Sequence, residues 1–89
     1  MVRKEITIMN ELGLESKTAA LFIQKASNYK SSVWIEKDIK KANAKSLLGL
    51  LSLGISKGTK VNLVVEGDDE EKAAAELEEY AKTGFGDIS

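Results

Sequence analysis

The sequence predicts an α+β fold with the element order βαββαβα and with its helices packed against one side of an antiparallel sheet. Three observations lead there. Short runs alternate apolar and polar residues with period two, longer segments repeat apolar residues every three to four positions, and glycines stand where one pattern gives way to the next. At 89 residues with 43% hydrophobic content, the chain is long enough for one core and too short for two, so one domain over residues 1–89 is expected.

Residues 2–8 place Val2, Ile6 and Ile8 on one face and Arg3, Glu5 and Thr7 on the other, as a half-buried strand requires. After a turn at Gly13, Ala19, Phe22, Ile23 and Ala26 share one side of a helix, and Ser16 is placed to cap its start. Val33 and Ile35 alternate with Trp34 and Glu36, and a polar segment around Asp38 separates them from residues 40–44, which predicts a hairpin. Its turn must spare the β-branched Ile39 a positive φ. Ser46 then precedes Leu47, Leu48, Gly49, Leu50 and Leu51, the signature of a short capped helix. Following a turn at Gly58, Val61, Leu63 and Val65 alternate with Asn62, Val64 and Glu66 in a final strand that ends at Gly67. Acidic residues at 68–71 favour the positive end of a helix dipole, and Ala73, Ala74, Leu77, Tyr80 and Ala81 form that helix's apolar stripe. Gly84 and Gly86 predict a frayed tail. Pattern alone also permits a ferredoxin-like arrangement of the same elements.

Composition removes several functions. Thirteen Lys and Arg against fourteen Asp and Glu give a net charge of -1, without the electrostatic footprint of a general nucleic-acid binder, so no direct DNA binding is expected. The chain has neither cysteine nor histidine, which excludes disulfides, thiol nucleophiles and the commonest zinc ligands. The first ten residues lack the apolar core of a signal peptide, and no run approaches the ~18 apolar residues of a membrane span. A soluble cytoplasmic protein is expected. Glycines 54, 58 and 67 match no nucleotide-binding fingerprint and are read as turns. No metal or cofactor is called for, and no catalytic residue is assigned.

Residues 43–59 read NAKSLLGLLSLGISKGT. The Lys-Ser pair, the Leu-Leu-Gly after it and the Ser-Leu-Gly before the Lys-Gly-Thr turn resemble the regulatory-serine segment of the HPr/Crh family of the bacterial sugar phosphotransferase system. The rest of the chain aligns with that family without an obvious gap. The resemblance implies an open-faced β-sandwich, with a four-stranded antiparallel sheet and three helices on one face, and sets the ferredoxin-like alternative aside. A second family hallmark is a Gly-x-His-Ala-Arg-Pro segment that opens the first helix. Here Gly13, Leu14, Glu15, Ser16, Lys17 and Thr18 stand in its place, so Glu15 occupies the position of the phosphocarrier histidine. Residues 15–18 are thus a degenerate phosphocarrier site, and the chain cannot act as a histidine phosphocarrier.

The resemblance assigns Ser46 as a phosphorylation site. The family serine is modified by HPr kinase/phosphorylase, and its phosphorylated form acts as corepressor to the catabolite-control repressor. Read from the residues alone, Ser46 is an ordinary N-cap worth ~1 kcal/mol, and the two roles are compatible. Lys45, Leu47 and Leu51 are the expected partner contacts. The last two fall together on the short helix, with Leu48 about 100° around its axis. Glu15 reads as a surface carboxylate favoured by the helix dipole, or as a fixed charge that imitates phosphohistidine. Lys17 reads as a solvated helix residue or as a contact for phosphate, without the bidentate geometry of arginine. The leading expectation is a noncatalytic regulatory adaptor of sugar transport and carbon catabolite repression. The alternatives are a phosphotransfer protein with an acceptor such as Glu15, and a fold that has lost its signalling role.

Overall fold

In the computed structural model, which describes residues 1–11 and 13–84, the chain runs through β1 Val2–Thr7, α1 Ser16–Ala26, β2 Ser32–Lys37, β3 Lys40–Asn43, α2 Leu47–Ser52, β4 Lys60–Glu66 and α3 Glu70–Lys82. The strands form one antiparallel sheet in the order β1-β4-β2-β3. The order βαββαβα and the open-faced arrangement are those the sequence and its resemblance imply.

Period-two alternation explains which sheet face is covered. Ile35 sits in register between Leu63 and Ala42, and Ile6 opposite Val61. These side chains, with Val33 and Val65, meet Ala19, Phe22 and Ala26 of α1, Leu50 of α2, and Ala73, Ala74, Leu77 and Ala81 of α3 in one buried cluster. The many alanines on the inward helix faces leave little bulk between helix and sheet, so the large Phe22 and Leu77 can fill the space that remains.

Some local features differ from the sequence reading. Val64 lies on the outer face of the sheet yet is only 1% exposed. Its neighbours in register are Arg3 and Trp34. The Arg3 guanidinium reaches over β4 to hydrogen-bond Glu36, and the Lys41 ammonium stands 4.6 Å from the Trp34 ring centroid. Long side chains thus shield the valine with their stems. In the β2-β3 hairpin Asp38 adopts φ 55 and Ile39 does not take a positive φ, as the turn chemistry demanded. β3 ends at Asn43, although the Ala44 N–H still donates to the Val33 carbonyl at 2.8 Å. After α3, the Gly84 N–H returns to the Ala81 carbonyl at 3.1 Å. Gly86, expected in the tail, lies outside the described residues.

Candidate functional site

The start of α1 is set by Gly13. Its φ is +66, and a Cβ there would stand 2.5 Å from the Ile55 carbonyl oxygen and 2.6 Å from Ser56 Cα. Glycine is needed both for the left-handed backbone and for the close approach. The next residue fixes the contact, since the Leu14 N–H donates to the Ile55 carbonyl at 3.0 Å. The first turn of α1 is therefore docked on the segment that follows α2. Beside it, Lys57 pairs with Glu11 at 2.8 Å, and that ammonium holds the Glu11 carboxyl below its ordinary value.

The cap of α1 is Glu15, with extended backbone, and not Ser16, which is the first helical residue. The Thr18 hydroxyl accounts for the difference. It accepts the Glu15 N–H at 3.0 Å and donates to the Gly13 carbonyl at 2.9 Å, so the helix entry is already satisfied one residue earlier. Thr18 is 2% exposed and serves the fold. Glu15, Ser16 and Lys17 remain exposed at the helix start. The degenerate segment thus divides into three surface residues and one internal brace.

The start of α2 is built more elaborately. The Asn43 side chain accepts the Lys45 N–H at 2.8 Å, and the Asn43 carbonyl accepts the Ser46 N–H at 3.0 Å. Ser46 is the N-cap, its Oγ accepting the Gly49 N–H at 3.2 Å and its carbonyl the Leu50 N–H at 3.0 Å. The hydroxyl is half-buried, and the first turn of α2 carries no acidic residue. At the other end of the helix, the Lys37 ammonium donates to the Leu53 and Gly54 carbonyls at 3.0 and 3.1 Å. A cation there complements the negative end of the peptide dipoles.

Two expected contact residues are placed differently. The Lys45 ammonium turns inward and donates to the Tyr29 and Ser31 carbonyls, both at 3.1 Å. Leu51 is half-buried against the core, because the helix turns its Leu50–Leu51 side toward the sheet. The apolar surface beside Ser46 is instead Leu47, 40% exposed, and Leu48, 81% exposed. The helical spacing groups Leu47 with Leu51, whereas the structure leaves Leu47 and Leu48 outward and turns Leu51 toward the core. Spacing does not say which side faces solvent, and the buried Leu50 decides that.

Sequence reasoning missed Asp69, the N-cap residue of α3. Its carboxylate accepts the Lys30 N–H at 2.9 Å, the Ser31 N–H at 2.9 Å and the Ser31 hydroxyl at 2.5 Å. The Ser31 hydroxyl and then the Lys30 N–H hold this carboxyl below its ordinary value. Ser31 is itself buried. The acidic run at 68–71 announced a helix start but not this reach to a distant loop. Among the described residues, no group of three or more acidic side chains is gathered as a metal site, and no helix is long and apolar enough to cross a membrane.

A family model described as the PTS HPr component phosphorylation site matches residues 2–83. The HPr-like protein Crh of Bacillus subtilis (strain 168) is 44% identical over 82 residues, which span 92% of this chain and 96% of that one. The phosphocarrier protein HPr of Neisseria meningitidis serogroup A is 38% identical over 87 residues, 98% of each chain. Among solved structures, HPr-C-His from Thermoanaerobacter tengcongensis superposes with a TM-score of 0.94 at 47% identity, over the whole of both chains.

Proposed function

The chain belongs to the PTS HPr family, and from that premise we propose that it is a Crh-like regulatory member, switched by phosphate on Ser46 and not by phosphohistidine. The observation that carries this reading is the pairing of the two helix starts. Where the family motif places its histidine, the exposed cap of α1 is Glu15, and the sequence contains no histidine elsewhere. Where the family carries its regulatory serine, Ser46 is present as a half-exposed cap.

The geometry around Ser46 suits a charge switch. A phosphoserine adds about -1.5 to -2 charges and three acceptor oxygens. One of those oxygens can keep the Gly49 N–H that Oγ now receives, so the modification does not require the helix to refold. Lys45, the adjacent cation, is occupied by two internal carbonyls. The added charge is therefore offered to a partner's basic side chains and is not neutralised within the chain. Leu47 and Leu48 lie next to it and supply the apolar contact that a polar-rimmed interface needs. Leu51 can add only its exposed edge. The partners proposed are HPr kinase/phosphorylase and the catabolite-control repressor, which places the chain in the cytoplasm in carbon catabolite control.

Glu15 is proposed as a fixed surface charge at the α1 start, with Ser16 and Lys17 beside it. Whether that charge imitates phosphohistidine is tested by Glu15→Gln, which weakens partner binding if the charge is read and leaves it unchanged otherwise.

The experiment for the main proposal compares repressor binding to the unmodified chain, to the chain phosphorylated at Ser46, and to Ser46→Ala treated with the same kinase. Tighter binding confined to the phosphorylated chain is the expected result. Equal binding by all three would remove the switch.

A further inference from the structure

We infer that Lys45 and Asp69 are positioning residues for Ser46, holding its hydroxyl in place through a chain of contacts that begins at the start of α3. This inference rests on the phosphoacceptor reading of Ser46.

Ser46 stands three residues beyond Asn43, the end of β3, and the Asn43 side chain and carbonyl shape that connection only locally. Two longer contacts tie it to the rest of the fold. The Ala44 N–H donates to the Val33 carbonyl at 2.8 Å, and the Lys45 ammonium grips the Tyr29 and Ser31 carbonyls. A clasp is only as rigid as the group it holds. Residues 29–31 lie in the connection between α1 and β2, and there the Asp69 carboxylate receives the Lys30 N–H, the Ser31 N–H and the Ser31 hydroxyl. The path from Asp69 to Ser31, to Lys45 and to Ser46 is direct at each step. It joins the N-terminal ends of α3 and α2, which are far apart in sequence.

Such bracing matters for phosphoryl transfer. The attacking hydroxyl must meet the γ-phosphorus in line, so catalysis depends mainly on positioning. The Ser46 side chain has a single rotor, and its direction follows from the backbone of residues 44–46 and from the Gly49 N–H. Losing the lysine clasp leaves that backbone with the Ala44–Val33 bond alone of the two longer contacts. Losing Asp69 frees the carbonyls that the clasp needs. The Asp69 loss reaches Ser46 through the Ser31 and Lys45 contacts, and the Lys45 loss through the backbone beside Ser46.

The test measures phosphorylation by HPr kinase and ATP for the wild-type chain, Lys45→Met, Asp69→Ala, the double variant and Lys37→Met, with amide exchange of Gly49 followed in parallel. The last variant strips a comparable lysine clasp from the opposite end of α2 and controls for lost stability. The inference expects Lys45→Met and Asp69→Ala each to lower kcat about three- to tenfold with KM little changed, and to speed exchange at Gly49. The double variant should lose less than the product of the two, because both act on one element, and Lys37→Met should keep the wild-type kcat. Wild-type kcat in Asp69→Ala, an effect of Lys45→Met confined to KM, or an equal loss in Lys37→Met would each overturn the inference while the reading of Ser46 stands. A wild-type chain that takes up no phosphate at Ser46 would remove that reading and this inference with it.

Discussion

Gly13→Ala tests the docking of the α1 start. The substitution meets three effects that can be separately estimated. An L-residue in the left-handed region costs about 1–2 kcal/mol. A Cβ 2.5 Å from the Ile55 carbonyl oxygen, with Ser56 Cα at 2.6 Å, cannot be absorbed by a side-chain shift because both obstacles are backbone. The backbone must move, at about 1–3 kcal/mol for an overpacked site, and the 3.0 Å bond from Leu14 to Ile55 is stretched as it does. Against this, alanine restricts the unfolded chain and returns about 0.4–1 kcal/mol. The net loss expected is about 1–5 kcal/mol, near 3 at the middle of each range. Gly58→Ala supplies the control, since Gly58 also has a positive φ, +88, but nothing within 4 Å of its would-be Cβ. It should lose no more than about 1.6 kcal/mol. Urea unfolding of the two variants and the parent, with equal m-values, reads the difference as a gap in midpoint of roughly 1 M at the usual slopes. Equal midpoints for the two variants would refute the close approach of Gly13 to Ile55 and with it the docking of α1 on the segment after α2.

Among the described residues Phe22 is the largest fully buried side chain, and Phe22→Ala should cost about 3–5 kcal/mol, measured by the same urea titration. Ser46→Ala should lose about 1 kcal/mol of cap stabilisation together with all kinase-dependent phosphate, whereas Ser46→Thr should retain most of both; stability and phosphate incorporation are the two readouts. Asp69 titrates below the ordinary carboxyl value, held there first by the Ser31 hydroxyl and next by the Lys30 N–H. A depressed folded-state pKa contributes stability that is present above the unfolded value near ~3.9 and is lost as pH falls through the folded one. Acid unfolding curves should therefore show a loss below about pH 4 that Asp69→Asn removes in part, and superimposable curves would contradict the bond network.

Much of the fold was legible because its periods are clean. Val61, Leu63 and Val65 alternate, Ala73, Ala74, Leu77 and Ala81 recur at helical spacing, and the structure buries both sets in one cluster. Asp38 and Ile39 followed turn chemistry, with the positive φ on the aspartate. The failures share a cause, which is that period does not specify tertiary partners. Val64 is hidden by Arg3 and Trp34, residues on strands that only the sheet order brings alongside it. Lys45 reads as a surface cation until the carbonyls of Tyr29 and Ser31 are placed beneath its ammonium. At the candidate site, the Ser46 cap was legible from the leucine run behind it. Glu15 replaced Ser16 as the α1 cap because Thr18 bonds back to Gly13, a contact that the glycine's left-handed turn makes possible. On α2, the spacing grouped Leu47 with Leu51, and packing against the core instead turned Leu51 inward and left Leu47 and Leu48 outward.

The central claim is that phosphate enters this chain at Ser46 from ATP and not at the start of α1 from phosphoenolpyruvate. Its most direct test is intact mass and phosphosite mapping after two separate incubations, one with HPr kinase and ATP, the other with enzyme I and phosphoenolpyruvate. The account predicts one phosphate, on Ser46, in the first mixture and none in the second. Phosphate acquired from phosphoenolpyruvate, above all a hydroxylamine-labile acyl phosphate on Glu15, would contradict it and restore a carrier role.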